Sequence, residues 1–134
     1  LILFERLRTE LGLAYLFVAH DLAVVKQVSD RVAVMYLGKL CEVGPAQELY
    51  AAPRHPYTSA LLASVPSPVP GRRARAPITG EVPSALDPPS GCRFRTRCPR
   101  ARDLCAVRAP EPRAVDQGHT VACHFPIDQP EAAQ

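Results

Sequence analysis

No stretch of this 134-residue chain approaches the ~20 consecutive apolar residues that a membrane-spanning helix needs. The opening does not read as a secretory leader either: Leu1 to Leu7 contains Glu5 and Arg6, and no cleavage pattern follows. These absences predict a soluble or peripheral protein. Proline is nearly missing from residues 1–50, where only Pro45 occurs, while the other 14 lie between Pro53 and Pro130. Proline removes a backbone donor and fixes φ, so the second half cannot be mainly sheet or long helix. A compact first half and a loop-rich second half are expected. No internal repeat is present. The chain starts with Leu inside what reads as a helix, which leads us to expect that an amino-terminal part precedes it.

The net charge of +3 excludes little, but its distribution is uneven. Ten of the 14 arginines fall between Arg72 and Arg113, offset there by Glu81, Asp87, Asp103 and Glu111. Such a stretch can meet nucleic acid, anionic lipid or an acidic protein surface, or it can be a solvated arginine-rich tail. Only Phe94 places an aromatic ring among the arginines, which argues against a base-stacking platform and against a nucleic-acid partner.

Along the chain, Leu1, Ile2, Leu3, Phe4, Leu7 and Leu11 leave Glu5, Arg6, Arg8, Thr9 and Glu10 on another face at helical spacing, and Gly12 suits the carboxy-terminal cap. Leu13 to Ala19 is an unbroken apolar run that predicts a buried parallel strand, stopped by His20 and Asp21. Asp21 is a good N-cap for a helix to about Ser29, with Leu22, Val25 and Val28 inward. Arg31–Tyr36 and Lys39–Val43 flank Leu37-Gly38 as a hairpin. Short helices are predicted over Ala46–Ala51 and Tyr57–Ser64, followed by a proline- and arginine-rich linker over 65–90 that is expected to decouple the tail from the first part. A helix, a buried strand and a second helix indicate an α/β layer fold, in which ligands sit at the carboxyl ends of strands. His20 occupies that position. An imidazole there can donate to an anionic oxygen and titrate near neutrality, or it can simply cap the next helix.

The stretch from Leu13 to Gly44 closely resembles the end of an ABC transporter ATPase domain, with Ser29-Asp30-Arg31-Val32-Ala33-Val34-Met35-Tyr36-Leu37-Gly38-Lys39 following the family pattern residue by residue. The likeness continues through Gly44-Pro45, Leu49-Tyr50, Pro53, His55-Pro56-Tyr57-Thr58, Ala60-Leu61-Leu62 and Pro66, an element typical of oligopeptide and dipeptide importers. It covers about Leu1 to Pro126. The fold it implies is the carboxy-terminal part of a nucleotide-binding domain over 1–64, then the linker, a loop-rich four-cysteine tail over 91–126, and a disordered end over 127–134.

By that resemblance His20 is the switch histidine, contacting the γ-phosphate of ATP, with Mg, in the complete subunit. Positioning and charge stabilisation do most of the work in phosphoryl transfer. The sequence departs from the family in one large respect: it contains no G-x-x-x-x-G-K-[ST] phosphate loop, and the aspartate strand, glutamine loop and signature motif are absent. Without the backbone donors of a phosphate loop, the chain alone is expected not to bind or hydrolyse ATP.

Cys92, Cys98, Cys105 and Cys123 form C-x5-C-x6-C-x17-C, with His119 and His124 near the last. This segment has too few apolar residues to bury four core cysteines. Two disulfides, free thiols, a structural zinc and a four-thiolate iron–sulfur cluster remain open; the spacing lacks the usual zinc knuckle, and a reducing compartment disfavours disulfides. The family resemblance favours a [4Fe–4S] cluster, which the arginines at 93, 95, 97, 100 and 102 would stabilise by charge unless they face membrane subunits or lipid. Cys41, on a predicted strand, reads as a small core residue.

The resemblance therefore implies part of the subunit that powers peptide import, peripheral on the cytoplasmic face of the membrane. Its implied partners are a second ATP-binding subunit, membrane-spanning permease subunits and, indirectly, a peptide-binding protein. The alternative is a stand-alone metal-binding interaction module.

Overall fold

A computed structural model describes residues 2–65 and 78–128. Much of the expected linker and the last six residues therefore lie outside the described residues. Helix α1 spans Ile2–Leu11 and ends at Gly12, whose φ of +64° is the left-handed conformation that glycine adopts without a Cβ clash. Helix α2, Leu22–Val28, is capped by the Asp21 carboxylate, which accepts from Ala23 N at 2.9 Å and Val24 N at 3.2 Å.

Strands β1 (Arg31–Tyr36) and β2 (Lys39–Pro45) pair antiparallel. Leu37 and Gly38, at φ +45° and +76°, form the two-residue turn whose twist suits a hairpin. β1 alternates strictly, with Val32, Val34 and Tyr36 buried and Arg31, Ala33 and Met35 exposed. Helix α3 (Ala46–Ala51) returns over β1, where Ala46 and Leu49 join Val32 and Val34 in one core. Helix α4 spans Pro56–Ser64.

Two sequence expectations are corrected here. Leu13–Ala19 forms no strand, and Leu16 and Val18 are 93% and 96% exposed. A lone extended segment cannot pair its backbone groups, and no strand lies beside it among the described residues. The sheet is antiparallel, in the order β1-β2-β4-β3, so the expected parallel layer is not what these residues build.

The second correction concerns the tail. It holds a short 3₁₀ turn at Arg95–Arg97, helix α5 (Asp103–Val107), and strands β3 (Arg113–Asp116) and β4 (His119–Val121). β4 lies against β2, matching Glu42 with Val121 and Val43 with Thr120. The tail thus continues the sheet of the first half, and the expected decoupling through the linker does not hold. Phe94 completes the joint. It is fully buried against Tyr36, Tyr57 and His55, with ring centroids 5.2, 5.1 and 6.0 Å away. Ile127, expected in a disordered end, exchanges backbone and side-chain hydrogen bonds with Arg54.

The start of α4 shows what His55-Pro56-Tyr57 does physically. Pro56 fills the first helical turn, where its missing N–H costs nothing. His55 Nδ1 accepts from Tyr57 N at 3.0 Å as the cap. Burial pushes the His55 imidazole down to about 4, partly opposed by the nearby Glu42 carboxylate and a hydrogen bond to the Ala122 backbone. The ring is therefore neutral at pH 7, and its acceptor nitrogen is free to cap.

A pH dependence follows from this. Above the ordinary histidine value of 6.5 the ring is neutral whether folded or unfolded, and its contribution is complete. Between 6.5 and about 4 the unfolded chain takes up a proton that the folded chain refuses, so stability falls as pH falls. Below about 4 no further loss comes from this group. The slope is at most about 1.4 kcal/mol per pH unit. Urea unfolding at pH 7 and pH 5 should show the loss, and His55→Asn, which keeps a capping acceptor but cannot titrate, should show a smaller one. Equal slopes for the two proteins would contradict the assignment.

Candidate functional site

His20 sits on the bend immediately before α2, exposed, and makes no side-chain hydrogen bond among the described residues. The cap of α2 is Asp21, so the imidazole is left outside the helix. α2 is held in turn by α3: Tyr50 donates its hydroxyl proton to Leu22 O at 2.6 Å, and Val25 packs on the core of Val32, Val34, Ala46 and Leu49. His20 thus stands at the end of a braced helix, next to the unpaired apolar segment.

The four tail cysteines lie elsewhere, beyond β2. Cys92, Cys98, Cys105 and Cys123 line one small cavity together with His55, Phe94, His124 and Phe125. Three local features place them. Cys92 N donates to Cys105 O at 2.8 Å. Gly91, at φ +66°, permits that approach, because a Cβ on it would stand 2.3 Å from Cys105 O. Cys123 arrives two residues after β4. The thiols are not joined as disulfides. Cys41 is buried as a small core residue, and it adjoins Cys92 in the cluster around Tyr36 and Phe94.

Burial is the main cause that raises these thiols. Cys123 is pushed up to about 11 and Cys41 to about 12, with negative charge on Cys92 adding to both; Cys92 and Cys98 are also raised. Arg95 works against this at Cys92 and Arg100 at Cys98. Cys92, Cys98 and Cys123 therefore stay protonated near neutrality, and a metal would have to displace their protons to bind. Soft thiols in fourfold array suit a thiolate-bound metal group. The cavity, about 10 Å³, is water-sized, and among the described residues no group of three His, Cys, Asp or Glu side chains converges tightly enough to hold a metal ion. As placed, the donor set has the right chemistry without the room.

The arginines around the cysteines mostly satisfy carbonyls. Arg93 donates to Leu37 O, Arg95 to Ser90 O at 2.9 Å, Arg97 to Thr79 O at 3.4 Å, and Arg100 to Phe125 O and Pro126 O, both at 3.3 Å. In a segment with little regular structure, guanidinium forks replace the missing ladder. This use of arginine was not foreseen from the sequence, where the cluster reads as a charged surface.

Sequence reasoning also missed Glu42 and His119. Glu42 is 1% exposed and His119 2%, and their side chains meet at 2.7 Å. Glu42 additionally accepts from Arg54 N at 2.7 Å and His55 N at 2.9 Å. No local signal marked it: Glu42 follows Cys41, both are buried, and the alternation of a strand would put only one of them inward.

Residues 41–105 match the family described as oligopeptide/dipeptide transporter, C-terminal region. A Brucella ovis protein named for ATP binding in peptide import is 52% identical over 122 residues, which is 90% of this chain and 38% of the relative. The oligopeptide transport ATP-binding protein AppF of Bacillus subtilis is 50% identical over 126 residues, 92% of this chain and 38% of its own length. The family match begins at Cys41, next to Glu42, and contains the His55-Pro56-Tyr57 start of α4 and three of the four tail cysteines. On these matches residues 41–105 carry the C-terminal region of oligopeptide/dipeptide transporters, and the chain, similar over nine tenths of its length to ATP-binding proteins of peptide transport, spans about two fifths of the length of those relatives.

Proposed function

We propose that this chain contributes the switch histidine and the cysteine-bearing tail to an ATP-hydrolysing subunit that drives peptide import. The observation that carries this reading is the position of His20, exposed before α2 while Asp21 performs the capping that would otherwise account for a histidine there. In the complete subunit ATP with Mg²⁺ supplies the phosphoryl group. The His20 imidazole would donate to a γ-phosphate oxygen as charge develops on it, and the braced α2 would hold the ring in place. A second ATP-binding subunit would face it, and permease subunits would receive the motion, with a peptide-binding protein delivering cargo to them. No helix among the described residues is long and apolar enough to cross a membrane, in keeping with a peripheral subunit on the cytoplasmic face. Among the described residues nothing further supports a stand-alone metal-binding module.

A second proposal concerns the four thiols. Residues as far apart as Cys92 and Cys123 line one cavity, and that favours a shared ligand, for which a [4Fe–4S] cluster matches the donor set. Loading it would require the side chains to spread from their metal-free positions.

Three outcomes test these readings. The isolated chain should show no ATP binding by calorimetry at micromolar nucleotide, since it holds no phosphate loop; measurable binding would refute that. In the full-length subunit, His20→Ala should leave ATP affinity nearly intact and lower turnover by roughly 10²-fold, the usual loss of a transition-state donor. Unchanged turnover would remove His20 from the mechanism. Full-length protein purified without oxygen should be brown and carry about four irons per chain. Stoichiometric zinc without iron would replace the cluster by zinc, and four freely titrating thiols with no metal would remove the metal altogether.

A further inference from the structure

The pairing of β4 with β2 rests on two residue pairs, Glu42 with Val121 and Val43 with Thr120, and on one further backbone hydrogen bond just beyond them, from Ala122 N to Cys41 O at 2.8 Å. So short a ladder specifies its register poorly, and a one-residue slip turns every side chain of a strand to the opposite face. Cys123 follows β4 by two residues. A slip would therefore swing its thiol out of the cavity that it shares with Cys92, Cys98 and Cys105. Some other contact must fix the register.

The candidates are few and specific. Glu42 takes two N–H groups from its own half of the chain, Arg54 N and His55 N, and a third from the tail, His119 Nε2. A carboxylate only accepts, so the imidazole donates from Nε2. The side chains are 0% and 2% exposed, which makes any mismatch expensive: a slipped strand would leave the carboxylate short of a donor with no water to replace it. Gly44 supplies the slot. A Cβ there would stand 2.8 Å from the His119 ring, so the ring fits only against glycine. At the margin, Arg54 reaches Asp116 at 2.8 Å, and Arg31 donates to Gly118 O at 2.9 Å. Both agree with the register that the buried pair sets.

We infer that Glu42 and His119, with the slot at Gly44, form a buried register lock that positions Cys123 in the four-thiol cavity. Neither residue touches the thiol site as a ligand; they act through β4. Buried polar pairs often add little net stability, and fixing one register among several is their best-attested use. The lock depends only on the shared cavity, so it stands whether or not iron is the ligand.

The test uses the full 134-residue chain in reduced, metal-free form, reading alkylation of each cysteine by mass spectrometry together with amide exchange. His119→Phe keeps the ring and loses the donor. Gly44→Ala keeps the donor and fills the slot. Both should raise the alkylation rate of Cys123 by at least about tenfold relative to Cys41, while amides of β1 and the paired part of β2 stay protected. His119→Gln, whose amide can again donate to Glu42, should return Cys123 toward the wild-type rate. Cys123 remaining protected in His119→Phe would overturn the inference. So would loss of protection at all cysteines and the hairpin together in both variants, because the pair would then be general core support. Failure of His119→Gln to restore protection would show that ring shape, not the hydrogen bond, sets the register, and would overturn it as well.

Discussion

Strand β2 is asked to be two things at once: the returning arm of a hairpin with β1 and the template on which the tail adds a strand. The side chain that meets both demands is Glu42. Its carboxylate closes the turn between α3 and α4 through Arg54 N and His55 N, and it receives His119 from the tail. The delivery of Cys123 to the other cysteines is downstream of that arrangement, while Cys92 and Cys105 meet through their own backbone hydrogen bond. Phe94 can bury itself against Tyr36 and Tyr57 only if α4 starts where Glu42 holds it, and β4 can deliver Cys123 only if it lies along β2. The tail is a segment too poor in apolar residues to fold alone, and it borrows both a sheet edge and a core from the first half.

The local elements were legible from the sequence. Gly12, Asp21, Leu37-Gly38 and Pro56 mark element ends by backbone chemistry that acts within a few residues, and α1, α2, the hairpin, α3 and α4 appear where those residues put them. The burial of Cys41 was equally local, since it follows from its place on a strand. What depends on residues far apart in the chain was not legible. Glu42 and His119 are 77 positions apart, and nothing within a window of either reveals the other. The arginines misled in the opposite direction. Their density reads as surface charge, yet Arg93, Arg95, Arg97 and Arg100 are spent on backbone carbonyls that no strand or helix satisfies.

The two candidate sites differ in how much of their surroundings this chain contains. The cysteine cavity is walled by its own residues, including His55 and Phe94 from the joint, and burial raises the thiols of Cys92, Cys98 and Cys123. His20 has a floor but no walls. Tyr50 and Val25 brace the helix α2 that follows it, and the histidine itself is exposed. Chemistry at an anionic oxygen needs several converging donors in a place from which water is excluded, and one exposed imidazole supplies only one of them.

The segment before His20 shows the same incompleteness in its side chains. Tyr15 and Phe17 turn to one side and meet Phe4 of α1 at centroid distances of 5.6 Å, while Leu16 and Val18 turn to the other and lie bare. That alternation is the period of a strand, present in the side chains although the backbone pairs with nothing among the described residues. A run apolar on both sides is stable as a strand only when one layer covers each face and a neighbour pairs each edge. α1 provides a single layer on a single face. The sequence expectation of a buried parallel strand and the exposed coil found here follow from one physical rule, applied with and without the neighbours that the rule requires.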